Sequence, residues 1–209
     1  MRTMSAEMPE LPPLLTASGL TLSRGGRELF TGLDLDLRAG TALLVRGPNG
    51  AGESSLLLAL AEILRLDGGR IGWRDGDETP PSHLLAHATG LKASLTVGEN
   101  LHFWRTLNGP TGLTVIAALD AVGLGGLEAV SAGHLSAGQG KRLALARLLV
   151  SRRLVWLLDE PTAALDASGQ TLLGRLIADH LRGGGGAIIA THDEIAGLAD
   201  APTLTLEAA

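Results

Sequence analysis

The sequence predicts an α/β fold, a mostly parallel sheet with helices on both faces, and three observations carry that prediction. Short apolar runs alternate with stretches whose apolar residues recur three and four apart, the patterns of buried strands and amphipathic helices. Polar or glycine-rich segments follow the apolar runs directly, where open α/β sheets place their ligands, at the carboxyl ends of the strands. A chain of 209 residues, 45% hydrophobic and 19% charged, has enough apolar material to bury one core.

Taken in order, residues 1–13 read as a loose, proline-bearing tail with Met1, Met4 and Met8 as three possible starts, and 14–209 as one domain. "GLTLS" (19–23) and "LDLDLR" (33–38) alternate apolar and polar residues as half-buried strands do, which predicts an antiparallel β subdomain at the front of the chain. "TALLVRG" (41–47) is a short strand running into a glycine loop, and 54–64 is a helix with Leu57, Leu60, Ile63 and Leu64 on its apolar face, closed by Gly68 and Gly69. Residues 91–150 read as a helical subdomain through "ENLHFWRTL", "VIAALDAV" and "GKRLALARLLV". "LVWLLDEP" is a buried strand stopped by Pro161, Leu173, Leu176, Ile177 and Leu181 mark a further helix, and "GAIIATHDE" repeats the strand-then-polar design.

Composition excludes several classes of function. With 17 basic against 22 acidic residues the net charge is −5, which argues against a broad nucleic-acid footprint. Zero cysteines rule out disulfides and thiolate metal sites. The start of the chain lacks the apolar core of a secretory signal, and the longest apolar runs fall far short of the roughly 20 residues that a membrane-spanning helix needs. The expected location is therefore cytoplasmic.

The chemistry concentrates in four places. In "VRGPNGAGESS" (45–55), the backbone of Gly47, Pro48, Asn49, Gly50, Ala51, Gly52, Glu53, Ser54 and Ser55 is placed as in a phosphate loop, whose N–H groups, from every residue but the proline, converge on anionic oxygens. Ser54 offers a hydroxyl and Asp159 a carboxylate, hard oxygen ligands suited to Mg²⁺ beside nucleotide oxygens. Glu160, next to Asp159 at a strand end, can polarise a water, and His192 can hydrogen-bond a γ-phosphate or that water. Ser136 begins a helix at "LSAGQGKR" and reads equally as a simple N-cap.

The ordered set of glycine loop, "LSAGQ", "LVWLLDEPTAALD" and "THD" resembles the ATP-binding subunits of ABC transporters over nearly the whole chain. The resemblance implies an ABC-type P-loop nucleotide-binding domain using ATP and Mg²⁺. It also implies a head-to-tail dimer in which Ser136, Gly138 and Gln139 face the γ-phosphate held by a second copy, with Asp166 in the adjoining "ALD" turn. His87 stands where most such subunits carry a glutamine, nine residues before Thr96, and Arg24 stands where most carry an adenine-stacking aromatic, six residues before Phe30. A guanidinium plane can stack on a base in its place. Both departures, with "HATGLKASLTVGENLHFW" and a length near 200, are similar to the haem-exporter subfamily of cytochrome c maturation. That subfamily implies polytopic membrane partners and a peripheral position at the cytoplasmic face of the inner membrane; docking is expected through the surface near residues 87–105, with Phe103 and Trp104 as anchors because exposed aromatics often hold interfaces. It implies no haem contact by this subunit, so His83, His102, His134 and His180 read as surface or packing residues.

One residue conflicts with all this. The phosphate-loop pattern places lysine after its second glycine, and position 53 is glutamate. The only lysines, Lys92 and Lys141, lie outside the loop, so the expectation is an ATPase architecture with impaired hydrolysis. The Glu53 carboxylate is expected to fill the anion site itself, paired with Arg46. A degenerate subunit kept for assembly, or the ATPase of another small exporter, stands as the alternative; a nucleic-acid ATPase would need a coiled-coil insertion or basic stripe that the chain lacks.

Overall fold

The computed structural model describes residues 12–74 and 82–207, so the tail expected over 1–13 lies outside the described residues except for Pro12 and Pro13. In chain order the elements are β1 (Leu15–Arg24), β2 (Arg27–Leu37), β3 (Ala42–Arg46), α1 (Glu53–Leu60), β4 (Gly68–Trp73) and β5 (Ser82–Leu85). They continue with α2 (Val97–Asn108), α3 (Val115–Ala121), a 3₁₀ turn at Ala132–His134, α4 (Ala137–Ala146), β6 (Val155–Asp159), α5 (Ala167–Arg182), β7 (Gly186–Ala190) and β8 (Thr203–Thr205).

These strands make two sheets: an antiparallel one in the order β2-β1-β4 and a parallel one in the order β5-β6-β7-β3-β8. The parallel sheet separates two cores, and the alternation of side chains along β6 assigns its residues to each. Val155 and Leu157 pack with α1 and the antiparallel sheet, whereas Trp156 and Leu158 pack with the layer that includes α2, α3, α4 and α5. Every residue of β6 and β7 is buried, which is why these strands read as continuous apolar runs instead of alternating ones. On the second face the Trp156 indole stacks on the His180 imidazole, centroids 4.0 Å apart, and burial lowers the pKa of that histidine.

Three strands escaped the sequence reading, each for a local reason. β4 ("GGRIGW") is glycine-rich and only partly buried, β5 has four residues, and β8 is a three-residue edge strand. Gly68 and Gly69 accordingly open β4 instead of closing a helix. Gly69 adopts φ +90°, and a Cβ there would lie 2.5 Å from the Gly19 carbonyl oxygen, so this crossing of β1 and β4 needs glycine. The helix predicted over 54–64 ends at Leu60 because Glu62 turns to φ 57°, and the N–H groups of Ile63 and Leu64 both donate to the Leu58 carbonyl. Ile63 is left 66% exposed, and Glu62 accepts a hydrogen bond from the Trp73 indole at 2.9 Å. No helix among the described residues is long and apolar enough to cross a membrane.

Candidate functional site

The glycine loop between β3 and α1 sits at the carboxyl end of the parallel sheet, next to the ends of β6 and β7. Gly50 and Gly52 hold φ 82° and 112°, which lets the loop fold back on itself. Gly47 is crowded: a Cβ there would lie 2.7 Å from the Ala51 side chain and 2.8 Å from the Leu206 carbonyl oxygen. Leu29 and Phe30 of β2 pack against Gly52, so the antiparallel sheet borders the loop. Within the first turn of α1, Ser55 is buried and Ser54 is exposed. The Ser54 hydroxyl donates to Asp159 Oδ1 at 3.0 Å across 105 residues of sequence, joining loop and strand end.

Glu53 turns back toward the loop. Its side chain is 14% exposed, Oε1 lies 3.2 Å from where a Gly47 Cβ would stand, and the same atom is 3.9 Å from Nε2 of His192. The expected partner was Arg46; the fold instead brings His192, from the turn after β7, to Glu53, while Arg46 Nε is buried without a hydrogen bond. The reason is geometric, since β3 and β7 are neighbours and their following loops converge.

Asp159 ends β6 and is 6% exposed; Glu160 follows with φ 43°, a left-handed conformation rare for a residue with a side chain. The Glu160 N–H donates to the Ala190 carbonyl at 2.9 Å, and its carbonyl accepts from Lys141 Nζ at 2.8 Å. Lys141 was set aside by sequence reasoning as a lysine remote from the loop. It is instead buried at the strand end, where desolvation lowers its pKa against the opposing pull of Asp159 and Glu160. Nothing in its local pattern carries that information.

On α4, Ser136 and Gln139 form a reciprocal capping box, with Gln139 N–H donating to Ser136 Oγ at 3.2 Å and Ser136 N–H to Gln139 Oε1 at 3.0 Å. A Cβ on Gly138 would stand 3.1 Å from the Ala164 carbonyl oxygen, so the turn before α5 closes on this glycine. Asp166 caps α5 through Gly169 N–H at 2.8 Å and meets Arg142 of α4 at 3.0 Å; hydrogen bonds from Gly169, Ser168 and Arg142 hold its carboxyl below the usual range. Ser136, Lys141 and Ala164 line a cleft of about 390 Å³ together with His87, which is exposed in the loop after β5. Arg24 stands on the exposed tip of the β1–β2 hairpin opposite Arg27, where Gly25 and Gly26 make the turn.

The two aromatics expected on the outer surface divide. Phe103 is 43% exposed, with Leu107 one turn further along α2 at 63%. Trp104 faces inward: Arg147 lies over its ring, 3.7 Å from the centroid, and donates to the Thr89 carbonyl at 2.6 Å. His83 is buried among core residues with Nε2 2.9 Å from the Ser151 carbonyl oxygen, and burial pushes its pKa down to about 4.

The ABC transporter family model covers residues 30–163. A cytochrome c biogenesis ATP-binding export protein CcmA of Rhodopseudomonas palustris (strain BisB5) is 48% identical over 87% of this chain and 92% of its own length. The protein of the same name in Rhizobium meliloti (strain 1021) is 45% identical over 92% of this chain and 97% of its own. A solved ATP-binding subunit of an ABC transporter superposes with a TM-score of 0.83 over 92% of this chain and 85% of that one; at 18% identity it speaks for the fold alone. The chain therefore belongs to the ATP-binding proteins of the ABC transporter family, within the group of the cytochrome c biogenesis export proteins CcmA.

Proposed function

We propose that this chain is the ATP-binding subunit of a haem exporter serving cytochrome c biogenesis, with its own hydrolysis impaired by Glu53. It works peripherally, at the cytoplasmic face of the inner membrane, on polytopic partners that carry the transport path. The observation that carries the catalytic part of this reading is the approach of Ser54 to Asp159 at 3.0 Å beside the Glu160 corner. The relatives named above support the cellular part.

In this reading the loop from Gly47 to Ser55 faces the phosphates with its N–H groups, and α1 adds the positive end of its dipole. Ser54 and Asp159 fit a Mg²⁺ ion, both being hard oxygen donors already within one hydrogen bond of each other. That ion, when bound, supplies neutralisation of phosphate charge. Glu160 orients and polarises the water, and His192 and His87 contact the γ-phosphate or its hydration. Arg24 stacks on the base. Ser136, Gly138 and Gln139 face the nucleotide of a second copy in a head-to-tail dimer, with Asp166 beside them. The capping box does not preclude this, because Ser136 Oγ accepts from Gln139 N–H and keeps its own proton to donate. Phe103 and Leu107 supply the apolar contact to the membrane partner.

Glu53 opposes the nucleotide directly. Its carboxylate stands over Gly47 facing His192, so it acts as an internal stand-in for a phosphate. A unit-charge pair at 4 Å is worth roughly 4 kcal/mol at an effective dielectric of 20, and replacing lysine by glutamate reverses its sign. After screening, a loss of about 3–4 kcal/mol remains, over a hundredfold in affinity or rate. The same tucked carboxylate favours a second reading, a non-hydrolysing subunit retained for assembly. ATP binding and turnover measured on this chain beside Glu53→Lys decide between them. Strong gain in the lysine form supports an impaired ATPase, equal turnover in both refutes the charge argument, and no turnover in either leaves the assembly reading.

A further inference from the structure

Lys141 is 3% exposed, alone among the described lysines and arginines in being almost wholly buried. Taking an ammonium out of water costs several kcal/mol unless its protons find acceptors and its charge finds partners. Here one proton goes to the Glu160 carbonyl at 2.8 Å, and the charge faces the carboxylates of Asp159 and Glu160. The carbonyl it holds belongs to a residue in a conformation that L-amino acids avoid, φ 43°. Such backbone persists only where its surroundings over-determine it. The surroundings are identifiable: Ala190 of β7 accepts from the Glu160 N–H, Ala163 N–H donates to the Glu160 carbonyl at 3.2 Å, and Lys141 donates to the same oxygen from α4. Two of these three anchors are backbone groups fixed by the sheet and its following turn. The third is a side chain, carried one turn past the Ser136–Gln139 capping box.

We propose that Lys141 is a positioning residue for Glu160. Its ammonium holds the left-handed peptide so that the carboxylate is aimed beyond the end of β6, and any displacement of α4 is passed to that aim. The inference rests on Glu160 acting on water in ATP hydrolysis, and it gives α4 a link to the reacting carboxylate within its own chain. Lys141 touches no substrate in this role, so its loss should leave nucleotide affinity alone and lower turnover.

The test uses the full chain carrying Glu53→Lys, compared with the same chain also carrying Lys141→Met, Lys141→Arg or Glu160→Gln. Lys141→Met is expected to lower kcat by at least about tenfold, since misplacing a reacting group by 1 Å costs up to about 10²-fold, with the Kd for ATP unchanged within about twofold. Lys141→Arg, which keeps a donor and a charge, should restore part of that loss. In the double variant, Lys141→Met should add little to Glu160→Gln, because the one acts through the other. A weakened Kd with unchanged kcat, or losses that add in full, would overturn the proposal. A readout independent of turnover comes from the chain as it stands. Lys92 and Lys141 are its only lysines, so lysine-labelled NMR gives two assignable side-chain signals. The Lys141 signal should lie apart from that of Lys92 and move in Glu160→Gln; a signal matching free lysine and indifferent to Glu160 would sink the idea, even where Lys141→Met does not fold. Absence of turnover in Glu53→Lys would count against the ATPase reading alone, leaving the NMR result to judge the Lys141–Glu160 contact.

Discussion

Two helices start at the candidate site and their first turns are built in opposite ways. α4 closes its own N-terminus with Ser136 and Gln139, each side chain satisfying the other's backbone N–H. α1 begins after Gly52 at φ 112° with no side-chain cap, and the acidic residue of its first turn, Glu53, bends toward Gly47 and His192. A self-capped helix end is stable without a ligand. An uncapped one leaves donors and a partial positive charge for something else to answer. In this chain the answer comes partly from a carboxylate of the helix itself, so one substitution turns a ligand-seeking end into one with an internal anion.

The contrast can be broken most severely at the strand end that both helices border. In a chain carrying Glu53→Lys, the further change Glu160→Gln should lower ATP turnover by about 10²–10⁴-fold, the usual contribution of a positioned acid or base. It should leave an ATP-bound dimer visible by sedimentation; persistent monomer with bound nucleotide would contradict the head-to-tail arrangement. Next in size, Glu53→Lys alone should strengthen nucleotide binding more than a hundredfold, about 3–4 kcal/mol, with Glu53→Gln falling between because it removes the repulsion without adding a cation. Titration calorimetry would rank the three forms, and a glutamine form equal to the wild type would show that the charge is not what matters.

A smaller effect tests the core at β5. His83 has its pKa lowered from 6.5 to about 4 by burial, so the folded chain keeps it neutral while the unfolded chain takes up a proton below pH 6.5. Acid therefore favours unfolding: stability is lost as pH falls from about 6.5 to about 4, by roughly 3 kcal/mol at 1.36 kcal/mol per pKa unit. Denaturant titrations of wild type and His83→Gln should differ in that slope, and parallel curves would refute the assignment. Smallest of all, Glu53→Lys without nucleotide should shift stability by only about 0.3–1 kcal/mol, downward, because a first-turn carboxylate suits the helix dipole. A large rise in melting temperature for the lysine form would mean that the loop, too, is strained by Glu53.

What the sequence disclosed follows from how local each cause is. β6 and β7 were legible because full burial writes itself as an apolar run, and the helix N-cap at Ser136 because capping acts over three residues. β4, β5 and β8 were not, since short or glycine-rich strands owe their existence to a neighbour's hydrogen bonds. The oddity of Glu53 was plain in the sequence, but its turn toward His192 in place of Arg46 depends on β3 lying beside β7. Lys141 was hidden for the same reason: its meeting with Glu160 spans 19 residues and two elements.

The three tryptophans described above also divide the molecule into observable parts. Trp73 donates to Glu62 beside the antiparallel sheet, Trp104 lies under Arg147 on the helical side, and Trp156 stacks on His180 in the core. The chain has no tyrosine, so its near-ultraviolet fluorescence is the sum of these three indoles without a second emitter. Replacing any two by phenylalanine leaves a single natural dye at a known address. A chain retaining only Trp104 would register, in the colour and lifetime of its emission, each time the Arg147 guanidinium leaves the ring.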